Sequence, residues 1–170
     1  LDITARLAAD QALRDSESMS RAIMNTVADA LIILDNSGRV SYWNPAAEKM
    51  FGYTEDEIIG HNLHAIVIPE RYVPSFKKAF KRFRTTGEGD AVGKTMELSA
   101  LHKDGGEFPV ELSISAFKIG DDWFATGVVR DITERKRAEE AIKIQTSAMN
   151  AASDQILITN TQGIIEFVNP

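Results

Sequence analysis

The chain has 170 residues, of which 44% are hydrophobic and 26% are charged, a composition typical of a folded globular protein. Its formal net charge of −6 argues against nucleic acid as the main partner, because surfaces that bind nucleic acid are basic. The sequence contains no cysteine, which excludes disulfides, thiolate metal sites and any covalent cysteinyl adduct.

The first predicted element is a long helix over residues 3–27, a stretch with few glycines or prolines and many helix-forming residues. Two short strands follow at 30–35 and 39–43, separated by the turn sequence Asn-Ser-Gly. Asn44 and Pro45 then predict the start of a second helix, because asparagine is a preferred N-cap and proline is favoured in the first turn.

Two further helices are predicted in the middle of the chain. The sequence Thr-Glu-Asp-Glu at 54–57 fits a capping box, which marks the start of a short helix. Residues 74–85 predict an amphipathic helix that Gly87 ends. Its apolar face includes Phe76 and Phe80, and its other faces carry lysine and arginine.

Three strands and a second long helix complete the pattern. Alternating apolar and polar residues predict strands at 95–101 and 108–116, and an apolar stretch predicts another at 123–129. Residues 132–152 predict a helix with charge pairs at helical spacing. This order of elements implies an α+β fold with an antiparallel sheet and helices on one face. The thin apolar seams of the two long helices predict self-association into a coiled coil, with packing on their own domain as the alternative.

Two segments of the chain recur in the same order, which indicates a repeat. Residues 2–14 (DITARLAADQALR) resemble residues 131–143 (DITERKRAEEAIK), and the segment 24–45 resembles the segment 149–170. These matches predict a repeated unit of roughly 125 residues. We therefore expect a segment of a longer protein that contains the tail of one unit, one complete unit and the head of the next.

The complete unit resembles a PAS sensor domain with its C-terminal PAC portion. The resemblance rests on an ordered set of motifs: ADALIILD (28–35), WNPAAE (43–48), FGYT (51–54), EIIG (57–60), IPE (68–70), KDG (103–105), FPVE (108–111) and GVVRDITER (127–135). It implies a five-stranded antiparallel sheet whose concave face and short helices enclose a pocket, flanked by signalling helices. It also implies four parts: a linker helix (1–23), the PAS/PAC domain (24–131), a signalling helix (132–147) and the start of a second PAS domain (148–170).

The resemblance implies sensing by this segment, not catalysis. A small ligand or dimerisation would shift a flanking helix, which would pass the change to an effector. The implied partners are a second copy of the chain, adjacent PAS domains, an effector and a small molecule, in the cytoplasm and without nucleic acid. The favoured interpretation is a sensory domain whose effector is a histidine kinase. The alternative is a dimerising spacer that binds no ligand and belongs to a diguanylate cyclase or a chemoreceptor.

The identity of a ligand is not readable from the sequence, although some cofactors are disfavoured. The missing cysteine excludes the adduct chemistry of light-sensing flavin relatives. Haem-binding relatives carry an axial histidine where Phe76 stands and an arginine where Met96 stands, and phenylalanine cannot ligate iron, so we expect no haem. A non-covalent flavin stacked on Trp43 or Trp123, a small apolar molecule and a filled pocket all remain open.

The resemblance suggests five residues as the lining of the pocket: Phe76, Phe80, Met96, Leu98 and Asn44. An ordinary core position is the alternative for the first four, and capping of the following helix is the favoured alternative for Asn44. We expect His61 and His64 to be surface or capping residues instead of metal ligands. The resemblance also implies an ion pair between Glu57 and Lys103, and completion of the capping box is the alternative role of Glu57.

Overall fold

The computed structural model describes residues 3–151 and 156–168 of the chain. These residues fall into two compact units, Leu1–Asp131 and Ile132–Pro170. The first unit begins with α1 (Ile3–Thr26), which confirms the first predicted helix. None of the helices in the described part of the chain has the length and apolarity that a bilayer crossing requires.

Between Thr26 and Asp131, all of which the structure describes, the chain forms five strands, three α-helices and two single helical turns. In chain order they are β1 (Ala30–Leu34), β2 (Val40–Trp43), α2 (Pro45–Phe51), α3 (Glu55–Ile58), the turns Leu63–Ala65 and Glu70–Tyr72, α4 (Val73–Thr86), β3 (Thr95–Leu101), β4 (Glu107–Ile119) and β5 (Asp122–Asp131). All the strands predicted in this unit are present, and β4 and β5 are longer than predicted. The α+β class is confirmed.

The five strands form one antiparallel sheet in the order β2-β1-β5-β4-β3. The last strand of the unit, β5, therefore lies at the centre of the sheet. It pairs with β1, where Ala30 faces Val129, and with β4, where Val110 faces Asp131. The edge strands are β2 and β3.

Capping residues set the helix boundaries in this unit. Asn44 Oδ1 accepts a hydrogen bond from Ala47 N at 2.9 Å at the start of α2. Thr54 and Glu57 form the predicted capping box of α3, with Thr54 N donating to Glu57 Oε2 at 3.0 Å. Gly87 ends α4 in the left-handed conformation with φ of 69°. The sequence therefore locates these ends well, because each depends on residues close together in the chain.

The largest fully buried side chains come from β2, α2 and α3. The rings of Trp43 and Phe51 pack with centroids 5.2 Å apart, and Ile58 is completely buried beside them in the core. Trp43 Nε1 donates to Tyr53 O at 3.0 Å, which satisfies the one polar atom of that side chain. In α4, by contrast, Phe83 is the single buried residue. Close packing thus characterises the region around β2, α2 and α3.

The second unit contains one long helix and a hairpin. Its elements are α5 (Thr133–Ala151), β6 (Leu157–Thr159) and β7 (Ile165–Val168), with β6 and β7 antiparallel. The helix predicted over residues 132–152 is confirmed by α5, which has no buried residue. The predicted division of the chain into four parts stays a prediction. Of the part predicted to begin a second domain, 148–170, residues 152–155 and 169–170 lie outside the described residues.

Candidate functional site

A cavity of about 390 Å³ lies between the sheet and the segment that runs from the first helical turn through α4. Of the five strands of the sheet, all except β2 contribute to its walls. Most of the lining is apolar and includes Leu34, Met96, Leu98, Val110, Leu112 and Ile114. An apolar cavity of about 150 Å³ is large enough to bind benzene. The space here therefore accommodates a molecule larger than a single aromatic ring.

Three of the five residues predicted to line the pocket lie in the cavity wall. These are Phe76, Met96 and Leu98. Phe80 lies one helical turn beyond Phe76 on α4 and is outside the wall. Its ring stacks between those of Phe76 and Phe83, with centroids 5.2 and 5.9 Å away. A contact of any of these residues with a ligand stays a prediction.

Asn44 lies at the start of α2, outside the cavity wall, and is fully buried. Its Oδ1 accepts hydrogen bonds from Leu31 N and Ala47 N, both at 2.9 Å. Its Nδ2 donates to Asp29 O at 3.1 Å and to Met24 O at 3.3 Å. The side chain thus joins the end of α1, the start of β1 and the start of α2, and the capping role that the sequence favoured is confirmed.

His64 is the residue of the cavity that sequence reasoning missed. The prediction of a surface or capping position is wrong, because the side chain is 9% exposed and lines the cavity. The ring stacks on Phe76 with an interplanar angle of 19°. Nδ1 is buried and has no hydrogen-bond partner among the described residues. Burial lowers the pKa of His64 to about 3, so the imidazole is neutral at pH 7.

Four other polar side chains line the cavity: Tyr72, Ser75, Asp90 and Ser99. Tyr72 and Ser99 lie beside an ion pair between Arg71 and Glu107, and the Arg71 guanidinium lies over the Tyr72 ring, 4.8 Å from its centroid. Arg71 Nη1 lies 2.9 Å from Glu107 Oε2, and Arg71 Nη2 contacts the other carboxylate oxygen. The bonds from Arg71 and Ser99 lower the pKa of Glu107 to about 2. The ion pair joins the turn before α4 to the start of β4, beside the cavity.

Neither tryptophan lines the cavity, although the sequence left both open as stacking partners for a flavin. Trp43 belongs to the close-packed core, and Trp123 lies against Gly87. Lys103 and Glu57 form the expected ion pair. In the part of the chain that the structure describes, no group of three His, Asp or Glu residues could hold a metal ion. The cavity therefore presents a mostly apolar surface.

Comparisons with known proteins give a consistent result. A family model described as PAS domain matches residues 28–134. The sensor protein FixL of Bradyrhizobium diazoefficiens is 34% identical over 143 residues, which cover 84% of this chain and 28% of that protein. The oxygen sensor protein DosP of Escherichia coli is 28% identical over 125 residues, which cover 74% of this chain and 15% of that protein. The chain therefore spans less than a third of the length of either relative.

Solved structures share the fold. A domain of the sensory box sensor histidine kinase/response regulator from Geobacter sulfurreducens is 25% identical, with a TM-score of 0.54 over 70% of this chain and 96% of that one. The PAS domain of a protein from Colwellia psychrerythraea is 24% identical, with a TM-score of 0.57 over 69% of this chain and 97% of that one. Both support the assignment of the five-stranded sheet with its short helices.

Proposed function

Because the chain belongs to the PAS domain family, we propose that its first unit is a sensory module that binds a small, predominantly apolar molecule in the cavity. The observation that carries this proposal is the cavity of about 390 Å³ with its largely apolar lining. Protein interiors are close-packed and contain few voids larger than a water molecule. A ligand that fills this space removes apolar surface from water, which is the main source of its affinity.

Binding acts on the flanking helix α5 through strand β5. Ala125, Gly127 and Val129 of β5 line the cavity, and the strand ends at Asp131. Helix α5 begins two residues later at Thr133. A displacement of β5 therefore reaches the first turn of α5 through the covalent chain. A ligand can shift the balance between two arrangements only by binding one of them more tightly than the other.

The long helices carry the dimer contacts in this proposal. Exposed apolar side chains lie along both helices: Leu7, Leu13, Met19 and Ile23 on α1, and Ile142 and Ile144 on α5. Pairing between two copies would bury such side chains in a coiled-coil seam.

In this proposal the effector of the longer protein is a histidine kinase, which lies in the cytoplasm because its ATP is found there. The similar domain of a sensory box sensor histidine kinase/response regulator from Geobacter sulfurreducens supports this choice.

A dimerising spacer that binds no ligand is the second candidate. The exposed apolar residues of α1 and α5 favour it, because association through these helices does not require an occupied cavity. The two candidates differ in what the purified protein contains. A retained small molecule supports the sensory module, and its absence supports the spacer.

Native mass spectrometry and an absorption spectrum of the freshly purified protein test the proposal. We expect an added small-molecule mass that is lost on denaturation, and the spectrum shows whether that molecule is coloured. Ala100 is 6% exposed and lines the cavity, so Ala100→Phe fills it and abolishes the added mass. Ser115 is exposed and follows Ile114, which lines the cavity, so Ser115→Phe introduces the same ring on the opposite face and retains the ligand.

The proposal is contradicted if the folded wild-type protein and Ser115→Phe carry no small molecule and bind no added apolar compound. It is also contradicted if a folded Ala100→Phe protein retains the same molecule as wild type, because that molecule must then bind elsewhere. Circular dichroism of all three proteins shows that each is folded before the masses are compared.

A further inference from the structure

We infer that His64 hydrogen-bonds to the polar group of the ligand. The ligand is then an uncharged molecule with an apolar body and a hydroxyl group that pairs with the His64 imidazole. The inference rests on the proposed function, since it specifies the chemistry of the molecule that the cavity takes.

The first argument is the unpaired nitrogen of His64. The side chain is nine-tenths buried, lines the cavity and stacks on Phe76. Nδ1 has no hydrogen-bond partner among the described residues. Buried polar atoms are nearly always hydrogen-bonded in folded proteins, because leaving one unpaired is costly. Nδ1 itself is enclosed, so the ring offers a ligand its other nitrogen, Nε2, which is not enclosed in this way and has no hydrogen-bond partner among the described residues.

The second argument is that the other polar groups of the cavity wall are less buried than His64. Tyr72 and Ser99 are half-buried and lie beside the ion pair between Arg71 and Glu107. Ser75 and Asp90 are exposed side chains, so water can satisfy them. His64 is therefore the buried polar group of the cavity wall that has bonding capacity left for a ligand.

The third argument concerns the kind of group that suits this ring. A neutral imidazole has one N–H donor and one bare nitrogen that accepts. A hydroxyl can donate or accept, so it pairs with either tautomer. A carboxylate would bring a charge into a largely apolar cavity that has no cationic residue among the described residues of its wall. An ammonium group would find an opposite charge only at Asp90, whose side chain is exposed and water-screened. Phenols and alcohols with an apolar body meet both requirements.

A matched pair of probes tests the inference on the whole chain. 2-Naphthol and 2-methylnaphthalene share one ring system and differ in a hydroxyl and a methyl group. Equilibrium dialysis gives their dissociation constants for the wild type and for His64→Phe, which keeps an aromatic ring to stack on Phe76. We define the hydroxyl preference as the dissociation constant of 2-methylnaphthalene divided by that of 2-naphthol, and we expect it to be about three- to tenfold larger in the wild type than in His64→Phe. The loss of apolar burial on exchanging methyl for hydroxyl is common to both proteins and cancels in this comparison. His64→Phe is expected to retain affinity for 2-methylnaphthalene.

Two further measurements test the inference, so that it does not depend on the His64→Phe variant alone. His61→Phe changes the exposed histidine three positions away and should leave the preference intact. In the wild type, the nitrogen-15 NMR signals of the His64 ring should shift on addition of 2-naphthol and stay unchanged on addition of 2-methylnaphthalene. A hydroxyl preference that is the same in the wild type and in His64→Phe overturns this inference alone. Failure of the wild type to bind either probe overturns the inference and the proposed function together.

Discussion

Arg130 binds both carboxylate oxygens of Asp29 across a sequence separation of 101 residues. Arg130 Nε lies 3.0 Å from Asp29 Oδ1, and Arg130 Nη2 lies 2.6 Å from Asp29 Oδ2. The hydrogen bond from Arg130 is the main cause that lowers the pKa of Asp29. This bidentate contact links the residue before β1 to the end of β5. It therefore connects the first strand and the last strand of the sheet at one end.

We expect Asp29→Ala to lower the free energy of unfolding by about 0.5–1 kcal/mol, since exposed ion pairs contribute little. The Arg130 side chain is 61% exposed, which screens the pair. Urea denaturation of Asp29→Ala, Arg130→Ala and the double variant forms a thermodynamic cycle. The double variant should lose less than the sum of the single losses. Strictly additive losses would show that the two side chains do not interact in solution.

Asn44→Ala is expected to lower the free energy of unfolding by about 2–3 kcal/mol, because it removes a helix cap and leaves buried backbone groups unpaired. The wild-type side chain bonds to Leu31 N, Ala47 N, Asp29 O and Met24 O. Asn150→Ala, at an exposed position of α5, is the control and should change stability by less than about 0.5 kcal/mol. Equal losses of unfolding free energy for the two variants in urea denaturation would show that the hydrogen bonds of buried Asn44 do not stabilise the fold.

Gly87→Ala should destabilise the domain more than Gly93→Ala does. Both glycines have positive φ, 69° and 76°, so both variants carry a similar backbone penalty. A Cβ at Gly87 would overlap the indole ring of Trp123, whereas a Cβ at Gly93 meets nothing within 4 Å. The expected difference is about 1–3 kcal/mol. Denaturation followed by tryptophan fluorescence measures it, and indistinguishable midpoints would mean that Trp123 moves aside freely.

The buried imidazole of His64 predicts a pH dependence of stability. Its pKa is lowered from 6.5 to about 3 in the folded protein. Between these values the unfolded chain binds a proton that the folded chain does not, so the stability conferred by neutral His64 is present above pH 6.5 and decreases as the pH falls toward 3. From pH 7 to pH 5, wild type should lose about 2 kcal/mol more than His64→Phe.

Urea denaturation at the two pH values measures this difference. Wild type and His64→Phe share the carboxylates beside the cavity, namely Asp90 in its wall and Glu107 in the adjacent ion pair. Their contributions cancel in the comparison, since the variant keeps both. Parallel pH profiles for wild type and His64→Phe would mean that His64 is solvated in the folded protein.

Local features of this fold were predictable from the sequence. The cap at Asn44 and the box between Thr54 and Glu57 each involve residues within one helical turn. The predicted end of β4 was less accurate. Lys118 and Ile119 extend that strand because Trp123 and Asp122 pair with them across the hairpin. Such pairing depends on both strands together and is not visible in the alternation of one of them.

The lining of the cavity was predictable only in part. Phe76 and Phe80 are four positions apart and share a face of α4, so helical periodicity cannot separate the one that reaches the cavity from the one that does not. His64 is buried because the ring of Phe76, from a different element, covers it. No pattern around His64 contains that contact, since it exists only once α4 packs over the first helical turn.

The central place of β5 has a consequence for synthesis on the ribosome. Ala30 faces Val129 in the sheet, so β1 emerges roughly 100 residues before its neighbour β5. Until β5 is available, the pairs β1–β2 and β3–β4 have no strand that joins them. A nascent chain interrupted before β5 therefore exposes unpaired strand edges that favour aggregation. Assembly of the cavity is accordingly a late event, completed when the final strand of the unit arrives.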